Sequence, residues 1–360
     1  MSIWEIAYLV KEKSVSSDAG TLYVDLPSNE PISAILLDLQ VTAGAAASVV
    51  GTRCVLDEFT DIQVLLEGAK TAFKASSWVA SGMAFFPERK LPPHKLSTRG
   101  FENCRVPLYF GRKPRDKEYL LDTSLYSSAQ LQIVYNMNTT YCTTGSLVYS
   151  VAILRPKEKL AVKGFVRSRV INTWTSSGSA EYRQQDLPIG LPWQRVGCRF
   201  YDADGYRYLG LLDVDFTVDS AGDHLFNGRC EDLRQLQGQL YGWDIPGPIS
   251  EHNAADGDSL YTFMGETRNV NLLDRSANPV VLSADSIKSD TMTIKWPSVS
   301  NETLAWQCFG SQPYGNIVLF EGEDEPFDAP AHSDAMIEYS LGAYAQQIET
   351  WMQEIVKGAL

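Results

Sequence analysis

Histidine is scarce in this sequence, and the motifs that hold metals and nucleotides are missing. Each histidine stands alone, without the H-x-x-x-H or H-E-x-x-H spacing of a zinc enzyme. The sequence has no G-x-x-x-x-G-K-[ST] or G-x-G-x-x-G phosphate loop and no G-x-S-x-G nucleophile motif. These absences argue against a metalloenzyme, a nucleotide-dependent enzyme and a serine hydrolase. We therefore expect no catalytic residue, no cofactor and no metal site. The four histidines are His94, His224, His252 and His332.

Paired cysteines and long apolar runs are also missing. The six cysteines are scattered and form no C-x-x-C pair, so we expect free thiols in a reducing compartment and no zinc site. No apolar run approaches the roughly 20 residues that span a bilayer, and no signal-peptide pattern is present. We expect a protein that is made and folded in a cytoplasm.

Basic residues are outnumbered, with 31 Lys and Arg against 44 Asp and Glu and a net charge of −13. A protein whose main task is to grip phosphate backbones needs a net basic face. We therefore expect no sequence-specific nucleic-acid partner, although a local basic patch remains compatible with this charge.

The residues that are present favour β-structure. Aromatics make up 11% of the 360 residues, including 17 Tyr and 8 Trp, which suits β-rich packing and large contact surfaces. Apolar residues alternate along segments 32–42, 61–67 and 129–135, and 147–154 is a strongly apolar strand. Short strands separated by turns predict a sandwich or barrel of about 130 residues in the first half.

The second half repeats this pattern with one helix added. Segment 214–226 resembles segment 62–73, since both have an alternating strand, a glycine turn and a later Phe, which is a weak internal repeat. Residues 230–241 predict a helix, because Leu233, Leu236 and Leu240 have helical spacing. Segments 85–100 and 243–257 are rich in Pro and Gly or basic residues and predict loops.

The two chain ends leave alternatives open. Residues 1–18 have no clean period and are either an N-terminal arm or a first strand. Trp4, Lys11 and Lys13 are candidates there for contact with a membrane or another subunit. Residues 345–356 are either a strand or an amphipathic helix, and helical spacing fits slightly better.

Two charged clusters are further candidates. A basic loop holds Arg112, Lys113, Arg115 and Lys117 and is either a phosphate contact, to nucleic acid or lipid headgroups, or an inter-subunit salt-bridge loop. Acidic residues at 321–325 are typical of a solvated loop. A carboxylate pair such as Glu323 and Glu338 would suit glycoside hydrolysis, and the tryptophans would suit sugar stacking.

Several phrases resemble a known family. They are Pro107 to Gly111 with Arg112, the turn 121–126 and the strand after it. In the second half they are Gly190-Leu191-Pro192 leading a strand, then Gly222 and the Leu-rich helix. In layout and in these phrases, residues 20–355 resemble the double jelly-roll major capsid proteins of tailless icosahedral viruses, many of which have an internal membrane.

The resemblance implies an all-β fold of two tandem jelly-roll β-sandwiches with a few short helices in loops. We expect an N-terminal arm at 1–19, a first jelly roll at 20–155, a linker and leading strand at 156–179 and a second jelly roll with a C-terminal tail at 180–360. The resemblance also implies a non-enzymatic structural protein of the virion that assembles in the host cytoplasm. Its implied partners are two further copies in a trimeric, pseudo-hexameric capsomer, neighbouring capsomers, minor capsid or penton proteins and an internal lipid membrane.

Two other classes remain as alternatives. One is a carbohydrate-active or carbohydrate-binding β-sandwich, and the absence of a secretion signal weighs against it. The other is a phage tail or fibre protein, which would tend toward elongated repeats that this sequence does not have.

Overall fold

The structure is a computed structural model of the chain. It describes residues 3–43, 54–97, 101–202, 211–219, 222–242, 245–254, 259–261, 264–265, 269–275, 281–283, 291–295, 302–310, 312–322, 325–342 and 346–360. In these residues strands dominate, and no helix is long and apolar enough to cross a bilayer.

The strands and helices follow one another as short elements. The first half contains β1 (Trp4–Val15), β2 (Ala19–Asp25), β3 (Pro31–Ile32), β4 (Ala34–Thr42), β5 (Phe59–Leu66), β6 (Lys70–Ala75), α1 (Ser77–Glu88), β7 (His94–Ser97), β8 (Phe101–Tyr109), β9 (Leu121–Asp122), β10 (Ala129–Asn136) and β11 (Leu147–Pro156). The second half contains β12 (Gly164–Thr175), β13 (Glu181–Asp186), β14 (Trp193–Asp202), β15 (Leu211–Val218), β16 (Asp223–Arg229), α2 (Cys230–Tyr241), β17 (Ile245–Ala254), β18 (Ser259–Tyr261), β19 (Met264–Gly265), β20 (Asn269–Arg275), β21 (Val281–Ser283), β22 (Thr291–Lys295), β23 (Glu302–Gly310), β24 (Gln312–Pro313), β25 (Asn316–Glu321), β26 (Ala335–Leu341) and β27 (Gln346–Lys357). Short 3-10 helices lie at Val55–Glu58, Thr123–Leu125 and Ala329–Ala331.

The first half folds into a β-sandwich, called here the first roll. Its two facing sets of strands have the orders β1-β11-β4-β8 and β2-β10-β5-β6. Alternate side chains of these strands point inward, as Ile35, Leu37 and Leu39 do on β4 and Leu131 and Ile133 do on β10. This alternation buries one face of each sheet and confirms the strands predicted from the sequence.

The second half folds into a second sandwich of the same connectivity, the second roll. Its sets have the orders β12-β27-β14-β25 and β13-β26-β15-β16. Strands of the same rank in the two halves occupy the same places in the two sandwiches. In both rolls, strands far apart in the chain pair side by side, which is the jelly-roll arrangement. The predicted tandem jelly rolls are confirmed.

The weak repeat marks one equivalent hairpin in each roll. Val64 pairs with Phe73 in the β5-β6 hairpin, and Phe216 pairs with Phe226 in the β15-β16 hairpin. Each hairpin leads into a helix of 12 residues, α1 in the first roll and α2 in the second. The predicted helix at 230–241 is therefore confirmed, and α1 is its counterpart.

Two parallel strand contacts join the rolls. β6 pairs with β12, with Ser168 opposite Phe73 and Arg169 opposite Lys74, so two four-stranded sets become one eight-stranded sheet. β7 pairs in parallel with β17, where Ile249 lies opposite Lys95. β17 to β24 form an insertion between α2 and β25, and β17, β23 and β20 extend the sheet that contains β1.

Two predicted loops contain regular structure. Residues 85–88 belong to α1, which begins after the N-cap Ser76 and ends at Arg89 in a left-handed conformation. The proline at position 87 suggests a loop, but it lies in the last turn, and only Glu88 of the helix follows it. Much of the second predicted loop, 243–257, is the strand β17, because it pairs with β23 and β7.

Both chain ends are strands. Residues 4–15 form β1 inside the first roll, where they pair with β11, and not a separate arm. Residues 346–357 form β27, which pairs with β12 and β14 on its two sides. The helical spacing of this segment was misleading because both faces of β27 are buried, so its apolar residues do not alternate with polar ones.

Candidate functional site

β1 separates the residues that the sequence grouped as a contact site. The Trp4 ring is partly buried against a small apolar cluster that includes Leu154. Lys11 and Lys13 lie at the other end of the strand and are exposed, with the Lys11 Nζ atom 5.9 Å from the centre of the Tyr8 ring. Trp4 therefore helps to hold the edge strand in place, whereas the two lysines face solvent.

The outer face of the β1-β11-β4-β8 sheet is apolar along its β1 edge. Ile6 and Tyr8 lie opposite Leu154 and Ala152 of β11, whose side chains point away from the roll's interior. Ile6 and Tyr8 are each 55% exposed. Two large apolar side chains at alternate positions of one strand form a surface that a partner can cover.

One cation of the basic loop, Arg112, is paired with the loop's own acids. The Arg112 guanidinium donates to Asp116, with its Nε atom 2.9 Å from Oδ2, and to Glu118 at 3.0 Å. Burial disfavours the charged form of Asp116, but Arg112 and the backbone N–H groups of Glu118 and Tyr119 hold its pKa below the usual value. Arg112 is therefore a structural residue of the loop.

The other cations of the loop remain outside this network. Lys113, Arg115 and Lys117 are exposed, whereas Lys163 from the connection after β11 pairs with Glu118 at 2.6 Å. Because these three cations are exposed, a contact of Lys113, Arg115 and Lys117 with phosphate or with another subunit remains a prediction.

A buried polar seam lies between the two rolls, and we call it the junction. Arg199 on β14 donates from Nη1 to Glu349 on β27 at 2.9 Å, and its guanidinium lies 5.0 Å from the centre of the Trp78 ring of α1. Arg195 donates to Glu321 at 2.7 Å. A buried charge is stable only when it is paired. Each of these pairs joins two strands of the second roll, and α1 covers those strands.

The junction was not found from the sequence. Its charged residues lie in three strands and pair across more than 100 positions, so no local spacing marks them. One signal was available, since Arg195 and Arg199 interrupt an otherwise apolar strand on one face. Glu321, predicted to lie in a solvated acidic loop, instead ends β25 with its carboxylate nearly buried.

His94 and Tyr314 form a second contact across the two halves. The Tyr314 hydroxyl lies 2.6 Å from His94 Nδ1, and His94 Nε2 lies 3.2 Å from the carbonyl oxygen of Arg105. Burial lowers the pKa of His94 to about 4. The imidazole is therefore neutral at physiological pH and serves as a hydrogen-bonding element of the core.

Helix α2 has an apolar face open to solvent. Leu233 points into the second roll, but Leu236 is 46% and Leu240 is 54% exposed. A shallow groove runs beside them between α2 and β25, lined by Val318 and Phe320 among others. Leu236 and Leu240 are thus a second pair of exposed large apolar side chains on one element, as Ile6 and Tyr8 are on β1.

The carboxylate pair proposed for sugar chemistry receives no support from the geometry. Glu338 lies on β26 and accepts a hydrogen bond from Gln184 Nε2 at 2.9 Å, and Glu323 lies outside the described residues. Within the described part of the chain, no group of three or more His, Cys, Asp or Glu side chains could hold a metal ion.

Comparisons with known proteins found similar structures but no protein of similar sequence. No family of known proteins and no curated protein matches this sequence. The fold is similar to the crystal structure of the STIV MCP, with a TM-score of 0.60, 10% identity and 98% of each chain covered. It is similar to the major capsid protein P2 from bacteriophage PM2, with a TM-score of 0.51, 10% identity and 98% of each chain covered.

A third similar structure is the quasi-atomic PBCV-1 virus capsid, with a TM-score of 0.52, 9% identity and 99% of this chain and 95% of that chain covered. The likeness runs through both sandwiches and the segments between them. It shows that the chain has the double jelly-roll fold of these structures.

Proposed function

We propose that this chain is a structural major capsid protein, and that three copies form a pseudo-hexameric capsomer of an icosahedral virion. The observation that supports this most is the likeness over nearly the full length of both chains to the STIV and PM2 proteins. A single sandwich occurs in proteins of many functions, but two in tandem, with a helix at the same place in each, are a much narrower resemblance.

The way in which the two rolls are joined suits a tile. A shell needs building blocks whose contact angles are fixed. Here the rolls share a continuous sheet through β6 and β12, and α1 is buried between them. Polar contacts also cross from α1 to the second roll, since Ser76 donates to Glu349 at 3.2 Å and the Arg199 guanidinium lies 5.0 Å from the centre of the Trp78 ring.

The surface composition fits a shell protein that does not read nucleic acid. The net charge of −13 is opposite to that of a protein that grips phosphate backbones, and Arg112 is paired within its own loop, which leaves Lys113, Arg115 and Lys117 as its exposed cations. The function is then geometric, since closed symmetry makes the capsomer and contacts between capsomers close the shell. No catalytic step is part of this function.

The partners would be other copies first, then neighbouring capsomers and minor capsid or penton proteins. An internal membrane is a further candidate partner, and the exposed cations Lys11 and Lys13 and those of the basic loop are candidates for contact with its headgroups. The protein would be located in the virion after assembly in the host cytoplasm.

The mass of the purified protein in solution tests this proposal. Light scattering behind a sizing column should give about 120 kDa, three times 40.0 kDa. Negative-stain images of that peak should have hexagonal outlines. A 40 kDa monomer that forms no larger species over a range of protein and salt concentrations would refute the trimeric capsomer.

A further inference from the structure

One end of the first roll gathers cations from segments that are far apart in the sequence. The loop 110–120 follows the end of β8, and the connection 155–163 joins β11 to β12. The two segments touch, since the backbone N–H of Lys163 donates to the carbonyl oxygen of Glu118 at 2.7 Å. The first residue of β12 lies opposite Lys357 near the end of β27. We call the surface formed by these two segments and Lys357 the basic end.

The basic end has an excess of positive charge in a chain whose net charge is −13. Segments 110–120 and 155–163 contain eight Lys and Arg against three Asp and Glu. Three of these cations are paired with carboxylates, and among the acids only Glu158 has no cation partner in the described part of the chain. The exposed cations that form no ion pair with a described residue are Lys113, Arg115, Lys117, Lys157, Lys159 and Lys357.

The corresponding end of the second roll has the opposite charge. Its connection from β25 to β26 occupies the place that the connection from β8 to β10 has in the first roll. Residues 322–334 of that connection contain five Asp and Glu and no Lys or Arg. The positive charge is therefore concentrated at one end of one roll, where it favours an anionic partner.

Apolar side chains lie beside these cations. Leu125 is 49% exposed in the 3-10 helix that follows β9. Glu30 connects this helix to the basic end, because its carbonyl oxygen accepts a hydrogen bond from the hydroxyl of the first helical residue and its carboxylate pairs with Arg155. Leu160 and Val162 are half-buried in the connection itself. Cations next to exposed apolar groups are typical of a surface that lies on a bilayer.

The basic end offers no aromatic ring for stacking on nucleic-acid bases. The rings of segments 110–120 and 155–163 belong to Phe110, which is buried, and Tyr119. The guanidinium of Arg112 covers Tyr119, at 4.4 Å from the ring centre. Proteins that bind single strands stack bases on exposed aromatic rings. Together with the exposed Leu125, this favours a lipid surface over a nucleic acid.

We infer that the basic end binds the surface of an anionic lipid bilayer. The exposed cations of loop 110–120 and of the connection 155–163 lie at the headgroups, and Leu125 lies at the boundary with the acyl chains. This inference rests on the proposed function, because it assigns the membrane contact named there to one surface of the capsid protein.

Lys11 and Lys13 do not take part in this contact. β1 starts at the basic end, where Trp4 lies opposite Pro156. At about 3.3 Å per residue, Lys11 lies roughly 20 Å farther along the strand, and Lys13 lies beyond it. A bilayer against the basic end therefore does not reach these two lysines, although the sequence alone gave both groups of cations the same prediction.

Flotation with vesicles tests the inference with two variants that remove equal charge. The full-length protein should float with vesicles that contain phosphatidylserine and not with pure phosphatidylcholine, and salt should weaken the binding. Lys113→Gln with Lys117→Gln should weaken it at least about 25-fold, since each cation near an anionic surface contributes about fivefold. Lys11→Gln with Lys13→Gln should change it less than about twofold.

A second pair of variants tests the apolar part of the contact. Leu125→Gln should weaken flotation about fivefold, because the exposed half of this side chain no longer leaves water on binding. Leu212→Gln is the matched control, since Leu212 is also 49% exposed but lies on β15 of the second roll. An equal effect of the two substitutions would contradict the placement of Leu125 at the bilayer.

Competition separates a bilayer from other sources of phosphate. Release of the wild type by inorganic phosphate at constant ionic strength would mean that the loop holds free phosphate, and the inference would be wrong. Tighter binding to duplex DNA than to vesicles, without an effect of Leu125→Gln, would identify a nucleic-acid surface and overturn it. An equal loss of flotation in the two lysine variants would mean unspecific attraction and overturn it too.

Light scattering keeps this inference apart from the proposed function. A trimer that does not float would refute the bilayer contact alone. A monomer would refute the proposed capsomer, and its flotation would still support the bilayer contact. Circular dichroism of every variant should match the wild type, because all the substituted side chains are exposed.

Discussion

Gly82 of α1 lies against Asn316, the first residue of β25, so closely that the helix of the first roll has no room for a side chain there. A Cβ atom added at Gly82 would overlap the side-chain amide of Asn316. Asn316 is fully buried, and its Nδ2 atom lies 3.3 Å from the carbonyl oxygen of Tyr314. This contact fixes how near α1 can come to the second roll.

Gly82→Ala should therefore lower the free energy of unfolding. Overpacking a tight contact costs about 1 to 3 kcal/mol. That exceeds the roughly 1 kcal/mol that a helix gains when alanine replaces glycine. Urea denaturation should give a net loss, and Gly190→Ala, at a site with nothing within 4 Å of an added Cβ, serves as the control.

A double-mutant cycle would locate the cause of that loss. In an Asn316→Ala background, Gly82→Ala should cost clearly less than in the wild type, because the amide it displaces is gone. Equal costs in the two backgrounds would mean that the contact with Asn316 does not limit the packing of α1.

Acid should destabilise the protein through His94. Burial lowers its pKa to about 4 in the folded state from an ordinary value of 6.5. Between these values the unfolded chain binds a proton that the folded chain does not, so stability falls as the pH falls from about 6.5 to about 4. From pH 7 to pH 5 the loss should be roughly 2 kcal/mol.

The control for this prediction is His94→Gln, which keeps a polar group near Tyr314 but does not titrate. Other groups titrate in both proteins, so the quantity to compare is the difference between their unfolding free energies at pH 7 and pH 5. A difference that does not change with pH would show that the imidazole is not responsible.

Breaking the buried pair of Arg199 and Glu349 should lower the free energy of unfolding strongly, whereas replacing both residues by apolar ones should lower it only a little. Arg199→Met leaves the Glu349 carboxylate without its cation, and breaking a buried pair in this way costs about 3 to 5 kcal/mol. Adding Glu349→Leu should recover most of that loss. Arg105→Met is the matched control, since its pair with Asp38 is 40% and 33% exposed and should contribute about 1 kcal/mol or less.

The sequence predicted the secondary structure correctly where one face of an element is buried and the other is exposed to water. β4 and β10 alternate, and α2 has leucines at helical spacing, so each pattern gives the correct element. It failed for α1, part of which was predicted to be a loop, and it left β27 open between a strand and a helix. Both elements are covered on two sides because they lie at or beside the junction. When both faces of an element are buried, its polar and apolar residues no longer separate onto two faces, and the sequence period is lost.

Some residues of the candidate surfaces could be predicted from the sequence and others could not. Lys11, Lys13 and the basic loop could be named from composition, because exposed charges are visible in the sequence. The structural role of Arg112 could not be predicted from the sequence, because it depends on the burial of Asp116. The exposure of Tyr8 and Leu236 could not be predicted, because the sequence shows that they are apolar and only the packing around them decides whether they are covered.

Within the basic loop, Arg112 and Lys113 should behave differently although they are neighbours in sequence. Arg112→Ala removes the donor that faces the buried Asp116 carboxylate and the ring of Tyr119, 4.4 Å from the guanidinium. Leaving a buried acceptor without its charged donor costs about 1 to 3 kcal/mol. Lys113→Ala changes an exposed side chain and should stay within about 0.5 kcal/mol of the wild type. Urea denaturation of both variants at neutral pH measures this difference, and equal stabilities would mean that solvent screens the Arg112 pair and that Arg112 is as free as its neighbours to contact a partner.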